Sequence, residues 1–215
     1  MRLFIGTFIE LPERKSIELF QESNIDLRLE ETATIKWTPP SKLHITWCFL
    51  GEVCDDKVSL VKNGIVNALQ EFKSGRGDER SSASIIFTRL AFWPKSKFPN
   101  VIVLRPDRTD KYFAELARLI KSKTGTFVSN SSEQKEFKAH LTLARVKNKQ
   151  QLKSNQVYDA DDKRCSETSR LSDLKFQELE QLLPLEVKIN RIELIESSPE
   201  IQGGYRSIEC FDLNF

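Results

Sequence analysis

Residues 42–53 read KLHITWCFLGEV and residues 136–147 read EFKAHLTLARVK, and these two stretches hold the only two histidines of a 215-residue chain. Each histidine is followed by an apolar residue and then a threonine, inside an apolar run. On a strand, successive side chains alternate between faces. His44 and Thr46 therefore share one face while Ile45 and Trp47 take the other, and His140 and Thr142 stand opposite Leu141 and Leu143 in the same way. Each strand buries its apolar face and presents an imidazole beside a hydroxyl on the other.

Outward from these two strands, the pattern predicts a mixed chain. RLFIGTFI (2–9) is apolar on both faces and reads as a central strand. Pro12 opens a helix with Ile17, Leu19 and Phe20 as its stripe. TIKWTPP is a short extended segment stopped by Pro39 and Pro40. Asp55 or Asp56 caps a helix through Val58, Val61, Ile65, Leu69 and Phe72. SIIFTRLAFW (84–93) and NVIVL (100–104) read as strands, and 109–125 as a helix with Thr109 as cap and Gly125 as stop. A short helix near DLKFQELEQLL precedes two closing strands, LEVKINRIELIES, with a slip near Asn190, and GYRSIECFDLNF. Residues 147–172 lack apolar period and read as a surface insertion. Neighbouring strands outnumber strand–helix–strand alternation, which indicates an α+β chain with mostly antiparallel pairing. The loose repetition of an HxT strand, polar residues and a helix suggests two related lobes that bring both HxT strands to one cleft.

The totals set bounds. With 33 basic and 31 acidic residues the net charge is +2, which argues against coating long duplexes by charge and leaves room for a local basic cleft. No run has the length of a membrane helix. The start of the chain lacks a small-residue cleavage site, so no signal peptide is expected. Cys48, Cys54, Cys165 and Cys210 match no metal spacing and read as cytosolic thiols. The Arg-Gly-Asp triplet of the polar loop 74–84 reads as a solvated turn.

Two imidazoles and two hydroxyls in one groove suit a phosphate ester. The hydroxyls donate to non-bridging oxygens. The imidazoles, with an ordinary pKa of about 6.5, can stand in opposite protonation states and pass protons on the two sides of phosphorus. No carboxylate or Cys/His cluster points to a metal or other cofactor, so metal-free acid–base chemistry is expected.

HITWCFLGEV and FKAHLTLARV resemble the two signature motifs of the 2H phosphoesterases, in particular the LigT-like RNA 2′,3′-cyclic phosphodiesterases. The likeness extends through MRLFIGTFIELPE, KWTPPSKL, RLAFWPKSKFPNVIVL, IELIESS and GGYRSIECFDL. It implies a single domain over 1–215, built as two pseudo-symmetric α+β lobes with antiparallel sheets flanked by helices around a central cleft. It implies hydrolysis of a terminal 2′,3′-cyclic phosphate to a 2′-phosphate, with His140 as base, His44 as acid, Thr46 and Thr142 on the phosphate, and Arg145 as a further contact. The residues alone leave the direction of proton transfer open, and strict alternation from His140 turns Arg145 away from the cleft, so its role needs a bulge or bend. RNA ends or nucleotides bearing the cyclic phosphate are the expected partners, with no membrane and a monomeric, cytoplasmic protein. Action on 2′,5′-linked or small cyclic nucleotides with weak reverse 2′–5′ ligation, or RNA-end binding without catalysis, are the alternatives. Ala139 stands where the family often has proline. Trp47 is expected in the core. Cys48 has the parity of His44, with a plain buried thiol as the simpler reading. Trp37, Phe92, Trp93 and Tyr205 are candidates either to stack a base or simply to pack.

Overall fold

The structure, a computed structural model, describes residues 1–23, 28–29, 33–75, 83–93, 99–125, 136–148 and 183–213. The order is β1 (Arg2–Phe8), α1 (Leu11–Ser23), β2 (Arg28–Leu29), β3 (Ala33–Trp37), β4 (His44–Glu52), α2 (Val58–Ser74), β5 (Ser84–Phe87), β6 (Arg89–Trp93), β7 (Val101–Arg105), α3 (Lys111–Thr124), β8 (Leu141–Asn148), β9 (Leu185–Lys188), β10 (Arg191–Ser197) and β11 (Tyr205–Asp212). This is the expected α+β class. Among the described residues every strand pairing is antiparallel.

One half of the main sheet runs β11-β10-β1-β4. The other is built around β8, with β7 and then β6 on one side and β3 and β2 on the other. The halves meet at a single pair, Ile45 with Leu141, where β4 touches β8. Both residues are fully buried, so the apolar faces of the two HxT strands join in one core. Helices α2 and α3 close on each other over that core, with Val61, Ile65, Leu69 and Phe72 from one and Phe113, Leu116 and Ile120 from the other. Gly64 permits the approach: a Cβ there would stand 2.6 Å from the Lys123 carbonyl oxygen.

Local expectations differ at five places. Leu19 is exposed, so the stripe of α1 rests on Ile17, with Phe20 partly buried against the core. Asp55 and Asp56 lie in a 3-10 turn ahead of α2 and make no side-chain cap. The cap of α3 is Asp110, whose carboxylate accepts from the Tyr112 N–H at 2.9 Å. Thr109 accepts instead from the Ala139 N–H at 3.2 Å, which ties the approach to His140 back to the start of α3. The run 84–93 breaks at Thr88 into β5 and β6, which belong to different sheets. The slip near Asn190 is a true break: β9 pairs with β5, while β10 joins β1 and β11. All but the last residue of the helix expected near 173–183, and most of the expected insertion, lie outside the described residues, β8 itself running to Asn148.

Candidate active site

Both HxT strands reach the cleft through the Ile45–Leu141 pair. Along that antiparallel register His44 lies across from Thr142, and His140 across from Thr46. All four side chains are half-buried, flanking two fully buried ones. The two histidines are held alike. His44 Nδ1 lies 2.6 Å from the Lys42 carbonyl oxygen, and His140 Nδ1 lies 2.7 Å from that of Lys138. A carbonyl only accepts, so Nδ1 carries the proton in each ring. The neutral tautomer then has its lone pair on Nε2, and any second proton is gained or lost there. The doubled frame is therefore K-x-H-x-T, with each histidine braced by the carbonyl two residues earlier.

Burial pushes both imidazoles below the ordinary histidine value, while the carbonyl bond acts against it. For His44 the charges of His140 and Arg145 lower it further. Arg145 thus acts electrostatically on His44, although alternation from His140 would turn it away. A register shift supplies the difference. Val103 pairs with Thr142 but Ile102 with Ala144, so Leu143 is an extra residue in β8. Leu143 and Ala144 are both buried, and Arg145 returns to the exposed face.

The first strand makes the same shift at the same place. Gly6 pairs with Thr46 but Ile5 with Cys48, leaving Trp47 extra. Trp47 is buried as expected, donating through Nε1 to Thr7 Oγ1 at 2.8 Å and stacking on Phe137. Cys48 consequently loses the parity of His44 and turns toward Lys121 and Thr124 of α3, where burial raises its thiol. Phe49 takes the place that Arg145 holds on the other strand, three residues beyond the threonine, and is 71% exposed.

Around this core the two halves differ. His44 sits among Phe4 (5.0 Å between ring centroids), Tyr205 (5.4 Å) and Phe8 (6.0 Å). His140 meets Trp93 at 4.7 Å. Of the four aromatic candidates, Tyr205 and Trp93 are thus beside the histidines, whereas Trp37 and Phe92 pack on the opposite face with Ile102, Ala144 and Val146. Phe4, Phe8 and Phe49 were not singled out by pattern, because their parity is legible only once the bulges are known. Among the described residues no group of His, Cys, Asp or Glu could hold a metal ion. No described helix is long and apolar enough to cross a membrane.

No family model matches the chain. An RNA 2′,3′-cyclic phosphodiesterase of Archaeoglobus fulgidus is 28% identical over 151 residues, covering 69% of this chain and 74% of that protein. Among solved structures, TT0787 of Thermus thermophilus superposes with a TM-score of 0.61 at 21% identity, covering 100% of this chain and 98% of that one. E. coli LigT complexed with 3′-AMP superposes with a TM-score of 0.60 at 17% identity, again covering 100% and 98%. Two matched K-x-H-x-T strands thus meet at one pair in a LigT-like fold, in a chain whose sequence is similar to that of an RNA 2′,3′-cyclic phosphodiesterase.

Proposed function

We propose that the chain hydrolyses a terminal 2′,3′-cyclic phosphate of RNA to a 2′-phosphate by two-histidine acid–base catalysis. The observation that carries this reading is the matched bracing of His44 and His140, each with Nδ1 within hydrogen-bond distance of a carbonyl oxygen, which leaves Nε2 for proton transfer. His140 Nε2 takes a proton from water as the water oxygen bonds to phosphorus. The bond from phosphorus to O3′ breaks, and His44 Nε2–H gives its proton to that oxygen. The products are a 2′-phosphate and a 3′-hydroxyl, and the histidines recover their starting states by proton exchange with solvent. The charges of His140 and Arg145 near His44 make its protonated form the readier donor, which supports this direction. Thr46 and Thr142 donate to the non-bridging oxygens, and Arg145 offsets the charge that grows on them. In this reading two proton carriers and one guanidinium suffice without a metal.

The test is EDTA-treated protein with an oligoribonucleotide ending in a 2′,3′-cyclic phosphate, alongside His44→Ala and His140→Ala. A 2′-phosphate product, reduced about 10²–10⁴-fold in each variant, is expected. Binding without turnover by the wild type would instead make the chain an RNA-end-binding module. The name of the Archaeoglobus relative supports RNA as the substrate class.

A further inference from the structure

Beyond the two histidines, the ribbon formed by β3 and β8 carries a cationic face. Lys36 pairs directly with Arg145 across these strands, and Lys147 follows two residues later on the same side of β8. All three are exposed. Directly opposed like charges in an antiparallel pair are destabilising. None of the three has an ion-pair partner among the described residues, whereas Lys62 and Lys123 each meet a glutamate at 2.6 Å. Net charge is only +2, so this clustering is local. The geometry is directional. Arg145 is the innermost of the three, its charge reaching His44, and Lys147 stands about 6.7 Å further out along the strand.

We propose that Lys36 and Lys147 bind the phosphate on the 5′ side of the terminal nucleotide, so that the cleft selects RNA ends over cyclic mononucleotides. The inference rests on the phosphodiesterase reading above and adds a phosphate subsite to it. A backbone phosphate one nucleotide upstream of the cyclic phosphate meets the two lysines while Arg145 stays with the reacting group. The lysines take part in no proton transfer. Their contribution is electrostatic and is screened by salt.

The test compares wild type with Lys36→Gln/Lys147→Gln on three substrates: a nucleoside 2′,3′-cyclic phosphate, its 5′-phosphorylated form, and a tetranucleotide with the same end. The wild type is expected to prefer the two substrates with an upstream phosphate by about tenfold in kcat/KM, and the double variant to lose most of that preference. Activity on the unphosphorylated substrate stays within about twofold, which also reports that the variant folds. The slope of log kcat/KM against log salt for the tetranucleotide becomes shallower by about 1.4, at about 0.7 for each lost contact to a single strand. Lys111→Gln/Lys188→Gln, which removes the same charge from two other exposed sites, leaves both preference and slope in place. Equal losses in that control, or an unchanged preference in the Lys36/Lys147 variant, would overturn the inference. If the wild type turns over none of the substrates, the phosphodiesterase reading falls by itself. The dissociation constant of a tetranucleotide ending in a 2′-phosphate, and its salt slope, then decide the subsite in the same way.

Discussion

Ile45 and Leu141 are the Cα pair through which β4 and β8 meet, and a histidine immediately precedes each of them. The separation of the two imidazoles is therefore set by one backbone pair, whose two aliphatic side chains are both fully buried. Leu141→Ala should cost about 2–5 kcal/mol, because the site cannot collapse without parting the two halves of the sheet. Activity measured well below the lowered melting temperature should fall as well, mainly in kcat. A loss of stability with unchanged kcat would show that the histidines are positioned by something else.

The histidines also make a pH prediction. Burial holds both below about 6.5 in the folded chain, and at His44 the charges of His140 and Arg145 add to that. A bell-shaped kcat/KM should therefore have its alkaline limb, where the acid histidine loses its proton, on the acid side of ordinary imidazole titration. Each single histidine replacement should remove a limb. Stability follows with the opposite sign to that of a salt-bridged histidine. The unfolded chain binds more protons between the depressed folded values and about 6.5, so stability is full above that pH and declines as pH falls through the window. Denaturant midpoints across pH 5–8 should decline at the acid end for the wild type and flatten when both histidines are replaced by glutamine.

Much of this was legible in the sequence, and the reason is periodicity. The alternation in HIT and HLT set the histidines and threonines on one face, and the apolar stripe of α2 was readable at helical spacing. What failed was parity beyond the threonines. Trp47 and Leu143 are each one residue too many for their partner strand, and no residue type announces it. The shift moves Cys48 to the helix side and brings Phe49 and Arg145 back to the cleft, so strict counting misplaces all three. The break at Thr88 was hidden for another reason. SIIF and RLAFW are both good strands, and only β9, nearly a hundred residues later, draws the first into a separate sheet.

The α2–α3 contact gives a prediction away from the chemistry. A methyl group at Gly64 would meet the Lys123 carbonyl oxygen at 2.6 Å, and backbone cannot swing aside as a side chain can. Gly64→Ala should lower stability by roughly 1–3 kcal/mol, despite the better helix propensity of alanine. Its kcat/KM at low temperature should match the wild type. A variant as stable as the parent would mean that the helices part without cost.

Reversing one charge on the ribbon should separate stability from activity. Lys36→Glu converts the opposed Lys36–Arg145 pair into an attractive one, gaining about 0.2–1 kcal/mol in the free protein. The same carboxylate engages the guanidinium whose charge reaches His44, and it repels an incoming phosphate. The melting temperature should rise while kcat/KM on an RNA end falls, and high salt should shrink both effects. A fall in both stability and activity would show that Lys36 is structurally required rather than tolerated.

Thr109 offers the sharpest test of how His140 is held. Its hydroxyl oxygen accepts from the N–H of Ala139, a buried residue one step before the histidine, and so links α3 to the segment that enters β8. Thr109→Val keeps the shape and removes the acceptor, leaving that N–H without its partner at a cost of about 1–3 kcal/mol. Because Lys138, whose carbonyl braces the His140 ring, lies on the same short segment, the loss should reach the imidazole. The expected signature is a lower kcat with the His140 titration moved and that of His44, which feels the His140 charge, moved less, read by NMR in a chain with only two histidine signals. Thr109→Ser, which restores the oxygen, should recover both. Failure of the serine variant to recover them would assign the effect to the lost methyl contacts of threonine and not to the hydrogen bond.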